Sequence, residues 1–306
     1  MIELQGVTKR YDRTVAVDGI DYRFQPGKLT GFLGPNGAGK STTIRMIMNI
    51  IAPDSGRITA GGEPLTEDFR NRLGYLPEER GLYKKMKVLD HLVFFGSLKG
   101  LSRGEARRRG QAWLDRLGLA DRAQGKVEDL SKGMQQKIQF AGTLLHEPEL
   151  ILLDEPFSGL DPINAEALKD IMLELKRAGR TVIFSTHMMD QAEKLCDEIA
   201  LINKGQLVLS GALSALRASF GRSNLRVRFV GDAGVLRGDA RVVSFQETEP
   251  GLAELRLADG HAPGEVLREW SARLDIDHFE VIVPSLHNIF IQTVTAPAAA
   301  AEGGAA

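Results

Sequence analysis

The sequence contains almost no cysteine and no long apolar run. Cys196 is the single cysteine among 306 residues, so an internal disulfide is excluded and a reducing compartment is favoured. No apolar stretch approaches the roughly 18 to 20 residues that cross a bilayer, and the first residues lack the pattern of a secretion signal. We therefore expect a protein that meets a membrane only from the cytoplasm, through another chain.

An excess of charge of either sign is also absent. The 39 Lys and Arg residues nearly balance the 40 Asp and Glu residues, which leaves a formal net charge of -1. This balance weighs against an extended nucleic-acid surface. A hydrophobic content of 43% and a charged content of 26% are typical of globular proteins. A chain of this length exceeds one hydrophobic core, which predicts two domains.

Two different patterns divide the chain. Before about residue 215, apolar strands alternate with helical stretches, which indicates an α/β domain with a largely parallel sheet. Within this domain, residues of about 80–145 are predicted to be mostly helical. Residues 220–295 alternate between apolar and polar types as half-buried strands do, and they predict a small α+β domain. The Ala/Gly-rich tail 296–306 is predicted to be disordered.

A glycine-rich loop is the strongest local signal. Its pattern is G-x-x-x-x-G-K-[ST], and it lies between an apolar strand (29–33) and a helix (42–48), as a phosphate loop requires. Glycines let backbone N–H groups converge on phosphate oxygens, and the helix directs its N-terminal dipole at the same anion. The sequence therefore predicts a nucleotide site. Its loop residues are Gly34, Pro35, Asn36, Gly37, Ala38, Gly39, Lys40 and Ser41.

For four residues of this segment, the sequence predicts which part of the nucleotide or metal they contact. Lys40 would place its charge on the β- and γ-phosphates, and the hydroxyl of Ser41 would bind Mg²⁺. Thr42 and Thr43 are candidates for the α-phosphate, although both also suit the first turn of a helix.

Two adjacent carboxylates follow a second apolar strand. Asp154 ends this strand, where a buried carboxylate is unfavourable unless it meets a cation such as Mg²⁺. Glu155 is then free to polarise the water that attacks the γ-phosphate, as a general base. The alternative is an acidic turn before Pro156.

Five segments in this order resemble the ATP-binding subunit of an ABC transporter, which implies a P-loop NTPase of ABC type over residues 1–215. They comprise residues 34–41, 75–78, 130–135, 151–156 and 185–187. The third segment resembles the family's L-S-G-G-Q signature, departing from it at Lys132 and Met134 but keeping Ser131 and Gly133. In the family, this signature faces the γ-phosphate of ATP held by a partner subunit. The resemblance therefore implies a head-to-tail dimer of two ATPase copies.

The resemblance assigns further residues. His187 is similar to the switch histidine that binds the γ-phosphate, and Asp161 lies in a segment that resembles the family's D-loop. Tyr11 occupies the place of an aromatic residue that stacks on adenine; packing of the first hairpin is its alternative role. Glu78 stands where the family has a Gln that reaches Mg²⁺. We expect Glu78 to make nucleotide binding more metal-dependent and to slow turnover; an acidic loop residue without a role in binding is the alternative.

The resulting hypothesis is an ATP-hydrolysing subunit of an ABC exporter that uses ATP and Mg²⁺. The run 75–83 resembles a branch that includes sodium-efflux and drug-resistance ATPases. Such a chain needs an integral membrane permease and a second ATPase copy, and it would lie at the cytoplasmic face of the membrane, without nucleic acid. A soluble ABC ATPase acting on ribosomes or DNA, and a degenerate cassette that only binds ATP, are the alternatives. The second domain suits dimerisation, regulation or simple packing.

Overall fold

The computed structural model describes residues 1–79, 81–220, 223–258, 260–282 and 285–295. The chain divides into two compact units, Met1–Ser210 and Gly211–Ala306. The predicted disordered tail, 296–306, lies outside the described residues.

The first unit contains ten strands among its described residues, the last of which runs two residues past the division. They are β1 (Ile2–Tyr11), β2 (Thr14–Phe24), β3 (Leu29–Leu33), β4 (Ser55–Ala60), β5 (Glu63–Pro64), β6 (Leu73–Leu76), β7 (Leu150–Asp154), β8 (Thr181–Thr186), β9 (Glu198–Asn203) and β10 (Gln206–Ala212). Its α-helices are α1 (Lys40–Ile47), α2 (Glu67–Arg72), α3 (Val88–Leu98), α4 (Arg103–Arg116), α5 (Lys132–Leu144), α6 (Pro162–Arg177) and α7 (Met189–Leu195).

A six-stranded sheet forms the centre of this unit, in the order β10-β9-β3-β8-β7-β6. The five strands from β9 to β6 are parallel to their neighbours. All five residues of β3 are buried, as expected for a strand that is covered on both faces. The carboxyl ends of β3, β7 and β8 lie at one edge of the sheet, where the phosphate loop, the Asp154–Glu155 pair and His187 follow. The predicted α/β fold is confirmed.

A second sheet, β2-β1-β4-β5, is antiparallel throughout. Its strands β1 and β2 are ten and eleven residues long. Its apolar side chains share one core with α1 and the central sheet. The members of this core include Ile2, Val7, Ile20, Phe24, Phe32, Ile44 and Leu152. The core therefore fixes α1 between the two sheets.

Helices α3, α4 and α5 form the helical part of the unit, within the predicted range 80–145. Helices α3 and α4 approach closely at Gly96, where an added Cβ would lie 2.8 Å from the Cβ of Ala106. Helices α4 and α5 both begin at serine N-caps. Ser102 Oγ accepts a hydrogen bond from Glu105 N at 3.2 Å, and Ser131 Oγ accepts one from Met134 N at 3.3 Å. In the described residues, no helix has the length and apolarity needed to span a membrane.

The second unit is α+β, as predicted. Its strands are β11 (Asn224–Val230), β12 (Val242–Glu249), β13 (Leu252–Leu257) and β14 (Asp275–Val281), and its helices are α8 (Leu213–Phe220), α9 (Gly234–Arg237), α10 (Pro263–Ser271) and α11 (Leu286–Thr295). The antiparallel sheet has the order β12-β13-β11-β14. Trp270 is buried in its core, and its indole N–H donates to Asp239 Oδ2 at 2.8 Å. Arg241 donates to the same carboxylate and holds its pKa well below the ordinary value.

Candidate nucleotide-binding site

The phosphate loop needs glycine at two of its positions for steric reasons. Gly34 and Gly39 have φ values of +155° and +106°, a backbone region that other residues rarely adopt. A Cβ at Gly34 would lie 2.2 Å from the carbonyl oxygen of Ile202, and one at Gly39 would lie 2.3 Å from that of Ala16. The loop can therefore close against β9 and β2 only when both positions lack a side chain.

Lys40, the first residue of α1, holds the loop together. Its side chain is only 6% exposed, and its Nζ donates to the carbonyl oxygens of Gly34 at 2.9 Å and Pro35 at 3.1 Å. The same ammonium lies 3.6 Å from Glu155 Oε1. A buried cation is thus fixed at the start of a helix, where backbone N–H groups also attract anions.

Asp154 receives two hydroxyl donors on one oxygen. The parallel register of β7 and β8 places Asp154 opposite Ser185, whose hydroxyl donates to Asp154 Oδ1. Ser41 Oγ donates to the same oxygen at 3.0 Å. Asp154 is 1% exposed, so these two donors compensate for its loss of hydration. Hydroxyl and carboxylate oxygens are also the ligands that Mg²⁺ prefers.

Glu155 is held in a strained backbone conformation. Its φ is +48°, a value that is uncommon for a residue other than glycine. Its N–H donates to Ser185 Oγ at 3.0 Å, and its Oε1 lies 3.0 Å from His187 Nδ1. The carboxylate therefore has Lys40 on one side and His187, whose side chain is half exposed, on the other.

A cavity of about 370 Å³ lies beside the phosphate loop. Glu155, Glu78 and Ala16 line it together with loop and helix residues, which are Asn36, Gly37, Gly39, Lys40, Ser41 and Thr42. The exposed Glu78 lies in a loop whose backbone is held from α5, where Gln139 Nε2 donates to Glu79 O at 3.2 Å and to Pro77 O at 3.5 Å. Two carboxylates and one ammonium thus face the space beside the phosphate loop.

Several predicted residues are not among the described residues that line this cavity, and they include Asp154, His187, Thr43 and Tyr11. Thr43 is fully buried, and its hydroxyl donates to the carbonyl of Gly39 at 2.9 Å. Tyr11 is 45% exposed at the end of β1, with Lys9 Nζ at 5.7 Å from its ring centroid. Ala16 of β2 lines the cavity instead.

The residues predicted for contact with a partner's nucleotide form a separate group. Ser131 caps α5 and Asp161 caps α6, where Asp161 Oδ1 accepts from Asn164 N at 2.9 Å. This backbone hydrogen bond and the one from the Asn164 side chain lower the pKa of Asp161. Gly133 lies nearby, because a Cβ there would be 2.9 Å from Asn164 Nδ2. Ser131, Gly133 and Asp161 are not among the described residues that line the phosphate-loop cavity.

Sequence reasoning missed the roles of Ser185 and Gln139. Ser185 links Asp154 to the backbone of Glu155, and Gln139 holds the loop on both sides of Glu78. The signal for Ser185 is its place at the carboxyl end of a strand that pairs with the strand of Asp154. No local pattern marks Gln139.

Both units match known families. Residues 17–158 match the family described as ABC transporter, and residues 211–294 match the one described as ATP-binding protein DrrA1-3-like, C-terminal domain. One relative, the uncharacterized ABC transporter ATP-binding protein YhaQ of Bacillus subtilis, is 42% identical over 97% of this chain and 99% of its own length. Another, the daunorubicin/doxorubicin resistance ATP-binding protein DrrA of Streptomyces peucetius, is 33% identical over 97% of this chain and 93% of its own.

Solved structures of ATP-binding cassettes are also similar to this chain. The structure of an ATP-binding subunit of an ABC transporter has a TM-score of 0.67 and 33% identity over 72% of this chain and 93% of its own. The dimeric, post-hydrolysis ATP-binding cassette MJ0796, bound to ADP and phosphate, has a TM-score of 0.64 and 25% identity over 70% of this chain and 99% of its own.

Fold and site define an ATP-binding cassette with a phosphate loop. The chain belongs to the ABC transporter family, as an ATP-hydrolysing subunit of the exporter type. The predicted ATPase function is confirmed, and these relatives give no support to the alternative of a ribosome or DNA ATPase.

Proposed function

We propose that two copies of this chain close head to tail around ATP, and that each nucleotide is held by the phosphate loop of one copy and the Ser131 segment of the other. One observation carries this proposal. The loop cavity gathers Lys40, Ser41 and Glu155, whereas Ser131 and Gly133 lie off its wall. A serine hydroxyl and backbone N–H groups at the start of a helix suit an anion, so the free segment fits the phosphate of a second copy.

Within each site, the residues around Asp154 bind either the phosphates or the metal. Lys40 holds the β- and γ-phosphates, and Thr42 and Asn36 lie on the same wall as further polar contacts. Ser41 and Asp154 would hold Mg²⁺, which supplies charge neutralisation on the phosphate oxygens when bound. Their oxygens fit this role, since Mg²⁺ is usually held by one or two protein carboxylates and substrate phosphates rather than by a protein cage. Glu78, across the cavity, is a third candidate ligand.

Hydrolysis requires a base near the γ-phosphate. Glu155 accepts the proton of the attacking water, while His187 fixes the orientation of that carboxylate through the 3.0 Å contact with Oε1. The water oxygen bonds to the γ-phosphorus as the bond to ADP breaks, which yields ADP and phosphate. Repulsion between the separated products then opens the dimer.

Residues outside the phosphate-loop cavity contact the adenine and the partner proteins. Tyr11 stacks on the adenine from the open side of β1, and Asp161 contacts the partner copy across the dimer. An integral membrane permease receives the dimer at the cytoplasmic face of the membrane and selects the exported compound. Relatives of this chain are named as drug-resistance ATP-binding proteins, which supports export as the direction.

The decisive experiment traps the closed state. Glu155→Gln removes the base while keeping the shape of the side chain, so ATP should bind without turnover. In saturating Mg²⁺-ATP, we expect this variant to sediment as a dimer in analytical ultracentrifugation, and to return to a monomer when ATP is removed. A variant that stays monomeric with bound ATP would contradict the shared site.

A matched pair of serine variants tests which residues are shared. Ser131→Ala and Ser102→Ala, each in the Glu155→Gln background, both remove a helix N-cap with nearly the same hydrogen-bond length. Each should cost about 1 kcal/mol of stability, but only Ser131→Ala should prevent dimerisation. Mixing Ser131→Ala with Lys40→Ala chains should restore dimers, because one intact composite site then forms. Equal dimerisation of both serine variants would refute the assignment.

A further inference from the structure

A buried glutamine connects α5 to the turn that carries Glu155. Gln136 is 2% exposed, and its Nε2 donates a hydrogen bond to the backbone carbonyl of Pro156 at 3.3 Å. Pro156 is buried and directly follows Glu155. Because proline has no N–H group, the carbonyl is the only hydrogen-bonding group of its backbone, and burial makes a donor necessary. Gln136 therefore supplies, from α5, a contact that the turn requires.

The same turn is held from the central sheet. Glu155 N donates to Ser185 Oγ at 3.0 Å, and Glu155 O accepts a hydrogen bond from Ser158 N at 3.1 Å. These contacts fix the first part of the turn to β8, whereas Gln136 fixes the Pro156 side to α5. Because the φ of Glu155 is +48°, this strained backbone depends on the contacts that surround it. A shift of α5 against the sheet therefore changes the direction of the Glu155 side chain.

The start of α5 is the segment proposed to meet the nucleotide of the second copy. Ser131 is exposed there, and Gln136 follows it by five residues, which is about 7.5 Å along a helix axis. Gln135 donates to the carbonyls of Val127 at 3.2 Å and Leu130 at 3.1 Å, so the residues before α5 are fixed to the helix. The Ser131 segment and Gln136 therefore move as one body.

The length of the Gln136 contact makes it sensitive to the position of α5. Hydrogen bonds from N–H to oxygen are usually about 2.9–3.0 Å long, so the contact at 3.3 Å is a weak one. Hydrogen bonds that support catalysis often tighten only when the substrate complex forms. An anion that fixes the start of α5 can thus strengthen the contact between Gln136 and the turn.

We propose that Gln136 is a positioning residue that connects the two composite sites of the dimer. When the Ser131 segment of one copy binds the nucleotide of the other, Gln136 fixes the Glu155–Pro156 turn of its own chain. Glu155 is then directed at the ATP on the phosphate loop of that chain. The inference rests on the proposed head-to-tail dimer.

The first experiment separates turnover from nucleotide binding. Gln136→Met keeps the length of the side chain and removes its N–H donor. At saturating Mg²⁺-ATP, we expect kcat to fall at least about tenfold, because the base is misplaced, with KM unchanged. In the Glu155→Gln background, Gln136→Met should still sediment as a dimer in ATP, which also shows that it is folded. An unchanged kcat, or a loss of ATP-driven dimerisation, would overturn the proposal.

Thr143→Val is the matched control on the same helix. Thr143 is 7% exposed, and its hydroxyl donates to the backbone carbonyl of Tyr75 in β6, also at 3.3 Å. This variant therefore loses a buried contact of the same length between α5 and the central sheet, but away from the Glu155 turn. We expect it to keep the kcat of the unchanged chain. An equal loss of kcat in both variants would indicate a general loosening of α5 and would contradict the role of Gln136.

The second experiment asks whether Gln136 acts through the Ser131 segment of its own chain. An unchanged chain and a Lys40→Ala chain, carrying different affinity tags, are purified together as a mixed dimer. The unchanged chain then holds ATP, but its Ser131 segment faces a phosphate loop that binds none. We expect this dimer to hydrolyse ATP at least about tenfold more slowly than the unchanged dimer. Retention of half the rate would overturn the proposal.

A double-mutant cycle completes the test. Gln136→Met is introduced into the ATP-binding chain of the mixed dimer, where we expect no further loss of rate, because the Ser131 segment of that chain is already unoccupied. A further loss as large as that in the symmetric dimer would mean that Gln136 acts independently of the second nucleotide, and the proposal would be wrong. This failure is distinct from a failure of the proposed function, in which the Glu155→Gln chain itself stays monomeric in ATP.

Discussion

Ser185→Ala tests how the sheet builds the catalytic centre. The hydroxyl of Ser185 donates to Asp154 Oδ1 and accepts from the N–H of Glu155 at 3.0 Å. It thus connects the proposed metal ligand to the proposed base, although it reaches neither nucleotide nor metal in the proposed scheme. Its removal should disturb both carboxylates without deleting either.

The expected losses of stability and of kcat follow from these two hydrogen bonds of Ser185. The variant loses a hydrogen bond to a charged acceptor and leaves the buried N–H of Glu155 without a partner, while Asp154 retains Ser41 as a donor. Together these losses should lower the free energy of unfolding by about 2–4 kcal/mol. Because the backbone of Glu155 loses its anchor at φ +48°, kcat should fall roughly tenfold to hundredfold.

The assay combines urea unfolding with steady-state ATPase kinetics. Thr30→Val is the matched control, since Thr30 is fully buried in the neighbouring strand β3 and its hydroxyl has no described partner. This control should be neutral or slightly stabilising. If Ser185→Ala unfolds at the same urea concentration as the unchanged chain and retains its kcat, the linking role of Ser185 is refuted.

Three further variants test other parts of the molecule. Gly39→Ala should abolish nucleotide binding, measured with a fluorescent ATP analogue, because its Cβ would lie 2.3 Å from a carbonyl oxygen; Gly37→Ala, with open space around the same atom, should be milder. Glu78→Gln should raise the ATPase rate and weaken its Mg²⁺ dependence, because a negative charge beside the γ-phosphate is removed. In the second unit, Arg241 lowers the pKa of Asp239 below that of the unfolded chain. The ionised carboxylate therefore stabilises the folded unit at pH values above its unfolded pKa of about 3.9. This stability is lost as the pH falls from there towards the pKa of the folded state. Asp239→Asn should therefore flatten the loss of stability of this unit below about pH 4, followed by circular dichroism.

Each of these variants has a contrary outcome. Equal ATP affinity for Gly39→Ala and Gly37→Ala would mean that the loop can relax away from β2. An unchanged rate and Mg²⁺ response in Glu78→Gln would remove the proposed charge effect. An acid transition of the second unit that is the same in Asp239→Asn would assign the pH dependence to other groups.

The elements that local patterns describe well were predicted. Strands β3 and β7 are largely apolar runs followed by chemically distinctive residues, and a parallel sheet brings such carboxyl ends to one edge. Two short elements, β6 (Leu73–Leu76) and α7 (Met189–Leu195), were not predicted. A four-residue strand is too short to establish a period, and its place is set by pairing with β7.

The parts of the site that were missed depend on contacts between distant segments. Gln139 reaches the Glu78 loop across about sixty residues of chain, and Ser185 meets Asp154 only because β7 and β8 pair in one register. The exposure of Tyr11 likewise depends on how β1 ends against β2. Residue types and spacing identify the phosphate loop, because its chemistry lies within eight consecutive residues. They do not determine which side chain supports a group on another strand.

The left-handed backbone of Glu155 has a consequence for the evolution of this enzyme. A side chain in that region is disfavoured by about 1–2 kcal/mol relative to glycine, so the backbone conformation alone favours a glycine directly after β7. Stability of the backbone and turnover of the nucleotide therefore make opposite demands at this one position.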